Sequence, residues 1–162
     1  MASSFRVHIQ KDQLTFCSGH FITYEGNTCE RLHGHNYRVS VEVTGPLDTN
    51  HYVFDFIALK RLTKEITDEL DHRMMLPTKS RLIQVKTEQD QVDVRFENRR
   101  WSFPLGDCVL LPIENTTAEL LAKYIAGRIK ESVKRHSGFT PEAITVELEE
   151  SMGQSAIYSE TP

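Results

Sequence analysis

From Phe5 to Ile9 and again from Leu14 to Ile22 the chain is extended in character. From Asn36 to Thr44 apolar and polar residues alternate, with Tyr37, Val39, Val41 and Val43 on one face. A period of two is that of a half-buried strand, because successive side chains leave opposite faces. Between these runs Thr23 to Leu32 is polar and holds Gly26 and Asn27, which predicts a loop. Gly45-Pro46-Leu47-Asp48 predicts a turn closing the alternating strand. The period then changes: Ile57, Leu59, Leu62, Ile66 and Leu70 recur at helical spacing behind Asp55, a good N-cap residue. Thr116-Thr117-Ala118-Glu119 reads as a capping box ahead of Leu120, Leu121, Tyr124, Ile125, Ile129 and Val133, and this helix should stop near Ser137-Gly138. Ile144 to Leu148 alternates again, and Ser155 to Tyr158 predicts a last short strand after Gly153. Between Arg81 and Leu111 two polar alternating runs predict an exposed hairpin turning near Glu88 to Gln91. The order of elements predicts an α+β domain, with helices packed on one face of an antiparallel sheet.

Composition narrows this picture. A chain of 162 residues fits one domain over residues 1–162, with the hairpin inserted at about 79–111. An apolar fraction of 39% and a charged fraction of 26% are those of a chain that folds. The net charge of -4 gives no general electrostatic reason to bind nucleic acid. Three cysteines without a disulfide-framework spacing, and an N-terminus lacking a basic segment before an apolar run, predict free thiols and a cytoplasmic protein. No apolar run is long enough for a membrane span.

The chemistry concentrates in the HGHN segment. His33 and His35 are two apart, so in an extended segment both imidazoles point the same way, while Gly34 keeps the backbone between them uncluttered. His20, at the end of the preceding strand, is the natural third ligand across the ladder, and three histidines with an open fourth position make a zinc site. Two other readings meet the same spacing. His33 and His35 can be solvated loop histidines, or Cys29 can be the fourth ligand of a closed structural site. Cys29 is also a candidate proton carrier, since a thiol near a cation has a lowered pKa. Asp71 and His72 form a carboxylate–imidazole pair only if the chain bends between them, because adjacent helical residues point apart; otherwise His72 simply complements a helix C-terminus.

Taken together, Phe16-Cys-Ser-Gly-His20, Cys29-Glu-Arg-Leu-His-Gly-His-Asn-Tyr37, Val53-Phe-Asp-Phe56, Leu70-Asp-His72 and Glu150 resemble the 6-pyruvoyltetrahydropterin and 6-carboxytetrahydropterin synthase family. The resemblance covers everything except Lys79 to Leu111. It implies a tunnelling fold (T-fold) of four antiparallel strands with two helices on one face, trimers closing into barrels, and a homohexamer with active sites between subunits. It also implies Zn2+ on His20, His33 and His35, Cys29 as the catalytic cysteine, and Asp71 with His72 as a relay from a neighbouring chain. Glu150 would grip a small-molecule pterin, joined by Thr117 and Glu119 as substrate-binding residues. The family pattern Thr-x-Glu-Asn-x-Ala is here Thr117-Ala-Glu-Leu-Leu-Ala122, so Leu120 stands where an asparagine is usual. The Arg99-Arg100-Trp101 stretch has no counterpart in that pattern. The implied substrate is 7,8-dihydroneopterin triphosphate, which loses triphosphate to give the 6-carboxy product, with the 6-pyruvoyl product as the alternative. A metal-stabilised module that holds pterins without turnover is the competing class. Relatives with glutamate in place of the cysteine favour side-chain cleavage of dihydroneopterin; Cys29 argues against that variant, with Glu30 directly beside it.

Overall fold

A computed structural model describes residues 4–161. Strand β1 (Phe5–His20) joins the two extended runs into one, because the polar Lys11-Asp12-Gln13 interruption is absorbed as an exposed register shift between Gln10 and Thr15. Two short strands in the following loop, β2 (Thr23–Tyr24) and β3 (Thr28–Cys29), form a small ribbon. Strand β4 (His33–Gly45) pairs antiparallel with β1, from Phe5 opposite Gly45 to His20 opposite His33.

Helix α1 (Phe56–Leu70) is capped by Asp55, whose carboxylate accepts the Ala58 N–H at 2.6 Å. Its inward stripe is Ala58, Leu59, Leu62, Ile66 and Leu70. Ile57, expected on that stripe, is 72% exposed, since the smaller Ala58 takes the inward position. Strands β5 (Arg73–Pro77), β6 (Gln84–Glu88), β7 (Gln91–Phe96), β8 (Arg99–Pro104) and β9 (Cys108–Leu111) follow. Helix α2 (Ala118–Ser137) comes next and ends at Gly138 in the left-handed conformation. Its cap is Thr117, which accepts from the Leu120 N–H. Thr116 instead donates its hydroxyl to the Phe21 carbonyl, so the expected box on Thr116 does not form. Strands β10 (Ala143–Ser151) and β11 (Gln154–Glu160) make the final hairpin.

The main sheet has six strands in the order β11-β10-β4-β1-β5-β9. Its first four are the expected antiparallel set. The other two correct the four-stranded expectation: β5 lies parallel to β1, and β9 parallel to β5. Their segments Met74-Met75-Leu76 and Cys108-Val-Leu-Leu111 are short apolar runs without alternation, the pattern of strands covered on both faces, and periodicity cannot assign these. The insert is likewise more than a hairpin. It turns at Gln89-Asp90 as expected, but turns again at Glu97-Asn98 to give the three-stranded sheet β6-β7-β8. Neither turn contains the glycine that usually marks one.

Both helices pack on the sheet, α1 against β1 and α2 against β10 and β11. The main core joins them to Phe16, Tyr37, Val39, Val41, Val146 and Leu148. A second cluster, with Phe21, Met74, Leu76, Val92, Val94 and Phe96, fastens the insert to the end of β1. Among the described residues no helix is long and apolar enough to cross a membrane.

Candidate functional site

The inward positions of three neighbouring strands turn from apolar to polar at one end of the sheet. On β1 the inward series is Phe16, Ser18, His20; on β4 it is Val39, Tyr37, His35, His33; on β10 it is Val146, Leu148, Glu150. Period-two alternation places all of these on one face. The register sets His20 opposite His33 and Ser18 opposite His35. The ligand atoms of His20, His33 and His35 consequently lie within 4.8 Å of one another, with ring centroids 4.8 to 5.2 Å apart. On the opposite face a Cβ on Gly34 would stand 3.0 Å from the Ser18 carbonyl oxygen, so a larger residue would press β1 and β4 apart by a few tenths of an ångström.

The outer nitrogens of two rings are already engaged. His20 Nδ1 lies 2.9 Å from the Thr116 carbonyl, and His33 Nδ1 lies 2.8 Å from the Arg31 carbonyl. A carbonyl only accepts, so both Nδ1 atoms carry a proton, which in a neutral imidazole leaves the lone pair on Nε2, the arrangement that second-shell partners impose on metal-bound histidines. His20 is 1% exposed, and burial pushes its pKa down to about 4, opposed by the Thr116 hydrogen bond and helped by His33 and His35. It is therefore held neutral, the form that binds metal. These three donors fit a divalent ion that prefers nitrogen ligands.

Glu150 bridges the cluster: Oε1 is 3.1 Å from His35 Nε2 and 3.4 Å from His20 Nε2. It also lines a pocket of about 330 Å³ together with Ile22, Thr117, Glu119, Gln154 and Ser155, so the three proposed substrate-binding residues share one cavity. Glu149, one residue earlier, faces away and accepts the Gly153 N–H at 3.1 Å. Leu120 packs against the main core.

Cys29 ends β3, half-buried against the insert core, and its thiol donates to the Glu30 carbonyl at 3.5 Å. Burial pushes this thiol up, with Arg99 opposing and Glu30 reinforcing. Of the protein's own groups, desolvation outweighs the one nearby cation. The Glu30 carboxylate accepts the Ile22 N–H at 3.1 Å and reaches within 3.8 Å of His33 Nε2.

Asp71 and His72 do come together. Asp71 ends α1 with extended geometry and His72 has φ 55°, so the chain bends and Asp71 Oδ2 meets His72 Nδ1 at 2.8 Å. The other oxygen accepts the Cys17 N–H at 2.7 Å, and this bond, with His72, holds the carboxyl below its usual range. The pair sits beside Cys17, whose side chain alternates away from Ser18 and His20, and His72 lines a shallow groove that includes Gly19, His33 and Gly34. Within one chain the structure does not bring this pair onto the histidine face.

Two contributors were not legible from the residues. Thr116 acts through a backbone carbonyl, which no side-chain pattern reveals. Arg99 donates from Nη1 to the Cys29 carbonyl at 2.9 Å and from Nη2 to the Glu30 carbonyl at 3.1 Å, and lies 4.7 Å over the Trp101 ring. The charged and aromatic stretch was visible; its target was not.

A mainly antiparallel sheet backed by two helices, with three histidines and a carboxylate-lined pocket at one end of the covered face, defines an α+β enzyme of the tunnelling-fold class. The chain belongs to the 6-pyruvoyl tetrahydropterin synthase family, whose model matches residues 8–161. A Methanocaldococcus jannaschii protein, provisionally named a 6-carboxy-5,6,7,8-tetrahydropterin synthase, is 37% identical over 146 residues, 90% of this chain and 89% of that one. The structure of Plasmodium falciparum 6-pyruvoyl tetrahydropterin synthase superposes with a TM-score of 0.90 at 33% identity, covering 99% of this chain and 100% of that one. A Plasmodium vivax 6-pyruvoyltetrahydropterin synthase, described as a catalytic-residue mutant with glutamate replaced by alanine, also superposes with a TM-score of 0.90. It is 28% identical and covers the same shares.

Proposed function

We propose that the protein converts 7,8-dihydroneopterin triphosphate to 6-carboxy-5,6,7,8-tetrahydropterin with loss of triphosphate, using zinc held by His20, His33 and His35. The carrying observation is the convergence of these three side chains on one sheet face beside the pocket of Thr117, Glu119 and Glu150. The M. jannaschii relative's name supports the carboxy product. Zinc in that position supplies Lewis-acid polarisation of the substrate's side-chain oxygens. The chain's own residues then divide the work. Glu150 accepts two hydrogen bonds from the pterin ring, Thr117 and Glu119 shape the same pocket, and Cys29 moves the proton from carbon. His72, oriented by Asp71, acts on the side-chain hydroxyl from a neighbouring copy, so the active unit is a hexamer.

One observation favours a second reading of the proton carrier. The Cys29 thiol is turned to a backbone carbonyl and its pKa is raised, whereas the Glu30 carboxylate reaches toward His33. In that reading Glu30 moves the proton and side-chain cleavage competes. The same turn of the thiol keeps it out of the histidine cluster, which supports an open metal position and an enzyme over a closed binding module.

Incubating the zinc-loaded protein with dihydroneopterin triphosphate, and assaying triphosphate, acetaldehyde and glycolaldehyde separately, tests the proposal. Triphosphate with acetaldehyde is expected. Triphosphate without either aldehyde assigns the 6-pyruvoyl product, glycolaldehyde still carrying the triphosphate assigns side-chain cleavage, and pterin binding with no release sinks the enzyme reading.

A further inference from the structure

The geometry points to Arg99, on the inserted sheet, as a positioning residue for the proton-transfer loop. It acts through the backbone of Cys29 and Glu30 rather than on substrate. Its role in turnover rests on the proposed pterin chemistry; the clamp itself does not.

Three successive carbonyls in this loop have found donors. The carbonyls of Cys29 and Glu30 are taken by the two terminal nitrogens of Arg99, and that of Arg31 by the ring of His33. The Cys29 thiol donates to the same Glu30 carbonyl that Arg99 holds. A displacement of the two peptides that Arg99 holds would therefore move the thiol and the Glu30 carboxylate together, while His33 stays fixed on β4 opposite His20. The other restraints on the segment are short-range or apolar: β2 and β3 pair over two residues each, Glu30 exchanges hydrogen bonds with the Ile22 backbone through its N–H at 2.9 Å and its carboxylate at 3.1 Å, and Cys29 packs against the insert core.

Arg99 is itself well fixed. It follows directly on the Glu97-Asn98 turn, and strand alternation turns Arg99, Trp101 and Phe103 toward the body of the protein. Trp101 stacks on Phe21 with centroids 4.5 Å apart, and the Arg99 guanidinium lies over Trp101. Phe21 immediately follows His20, so the stack ties the insert to the end of β1 as well as to the loop. A planar guanidinium with two parallel donors matches two adjacent carbonyls as an ammonium cannot. With both terminal nitrogens engaged by backbone, Arg99 is a poor receptor for a substrate anion. The adjacent Arg100 is exposed and pairs with Asp93 at 3.0 Å, which makes it the natural control.

The test compares Arg99→Ala, Arg99→Lys and Arg100→Ala with the parent chain, all zinc-loaded. It reads zinc content, kcat and KM, and the rate at which iodoacetamide alkylates Cys29, resolved from Cys17 and Cys108 by peptide mass spectrometry. In Arg99→Ala, zinc content and KM should stay unchanged while kcat falls about tenfold to a hundredfold, the cost of misplacing a reacting group by around an ångström. Cys29 should alkylate several-fold faster, with the Cys17 rate unmoved. Added methylguanidinium should restore part of kcat. Arg99→Lys should fall between, and it keeps the proposal testable if the alanine variant fails to fold. Parent-like kcat and parent-like Cys29 alkylation in Arg99→Ala would overturn the proposal, as would a change confined to KM, which would make Arg99 a substrate contact. If the parent chain does not turn over dihydroneopterin triphosphate, the functional reading fails, and the alkylation rates still decide the clamp.

Discussion

Glu150 touches two of the three histidines and also lines the neighbouring pocket, so the histidine cluster and the proposed pterin recognition meet on one carboxylate. A pterin edge presents a ring N–H and an amino group side by side, and a carboxylate offers two acceptors at matching separation. Glu150→Gln replaces one acceptor by a donor, leaving an unsatisfied clash worth about 1 to 3 kcal/mol. Calorimetry should show pterin binding weakened about tenfold to a hundredfold, with zinc retained because the three histidines remain. Glu149→Gln should bind pterin normally, since Glu149 faces the final turn and holds the Gly153 N–H. The reverse outcome would assign the anchor to Glu149. By its residues alone Glu150 reads as a solvated charge at a strand end, and only the family resemblance singled it out; the strand places it inward in step with Val146 and Leu148. The state of the Cys29 thiol was not legible in the sequence, because its raised pKa depends on burial against an insert whose docking no local pattern reveals.

At the scale of elements, the site depends on how closely β1 and β4 approach. The histidines lie on one face, and Gly19 opposite Gly34 lie on the other. In Gly34→Ala the new methyl would press on the Ser18 carbonyl at 3.0 Å, and backbone cannot yield as a flexible side chain does. The strands should separate between His33 and His35, costing about 1 to 3 kcal/mol by overpacking and lowering the zinc content per chain. Urea denaturation and metal analysis measure both. Gly127→Ala on α2, where an added Cβ meets nothing within 4 Å, should instead stabilise by up to about 1 kcal/mol and leave zinc unchanged. Normal zinc and stability in Gly34→Ala would show that the close approach does not set the cluster. The sequence showed a glycine between two histidines; the strand register showed what it must avoid.

For the whole molecule the question is what completes the site. Asp71 and His72 pair beside Cys17, on the side of β1 away from the histidine cluster, and the six-stranded sheet ends in two edges, β11 and β9. On β11, Ile157 is 65% exposed. Open edges are templates for pairing unless other chains cover them. The proposed hexamer would cover them and bring one copy's His72 to another's histidines. Co-expressed His33→Ala and His72→Ala chains, each inactive alone, should then recover activity at about one site in four on random assortment. Light scattering should find no monomer at micromolar concentration. Co-assembled variants that stay inactive would place the whole site within one chain.

The sequence by itself determined the strands and helices with a clear period and the inward face of each, and its spacing made His20, His33 and His35 candidates for one cluster, while Glu150 entered through the family resemblance. The periods and the histidine spacing are matters of local geometry, in which residue spacing alone fixes direction. Only the tertiary structure decided what depends on approach between distant segments. It added the two parallel strands whose apolar runs carry no period, and it moved the α2 cap from Thr116 to Thr117 because Phe21 claims the Thr116 hydroxyl. It also set the tautomer of His20 through a carbonyl near the start of α2, and laid Arg99 across the loop of Cys29 and Glu30. Each of these is a contact between residues far apart in the chain, and such contacts follow from packing rather than from any pattern within a single segment.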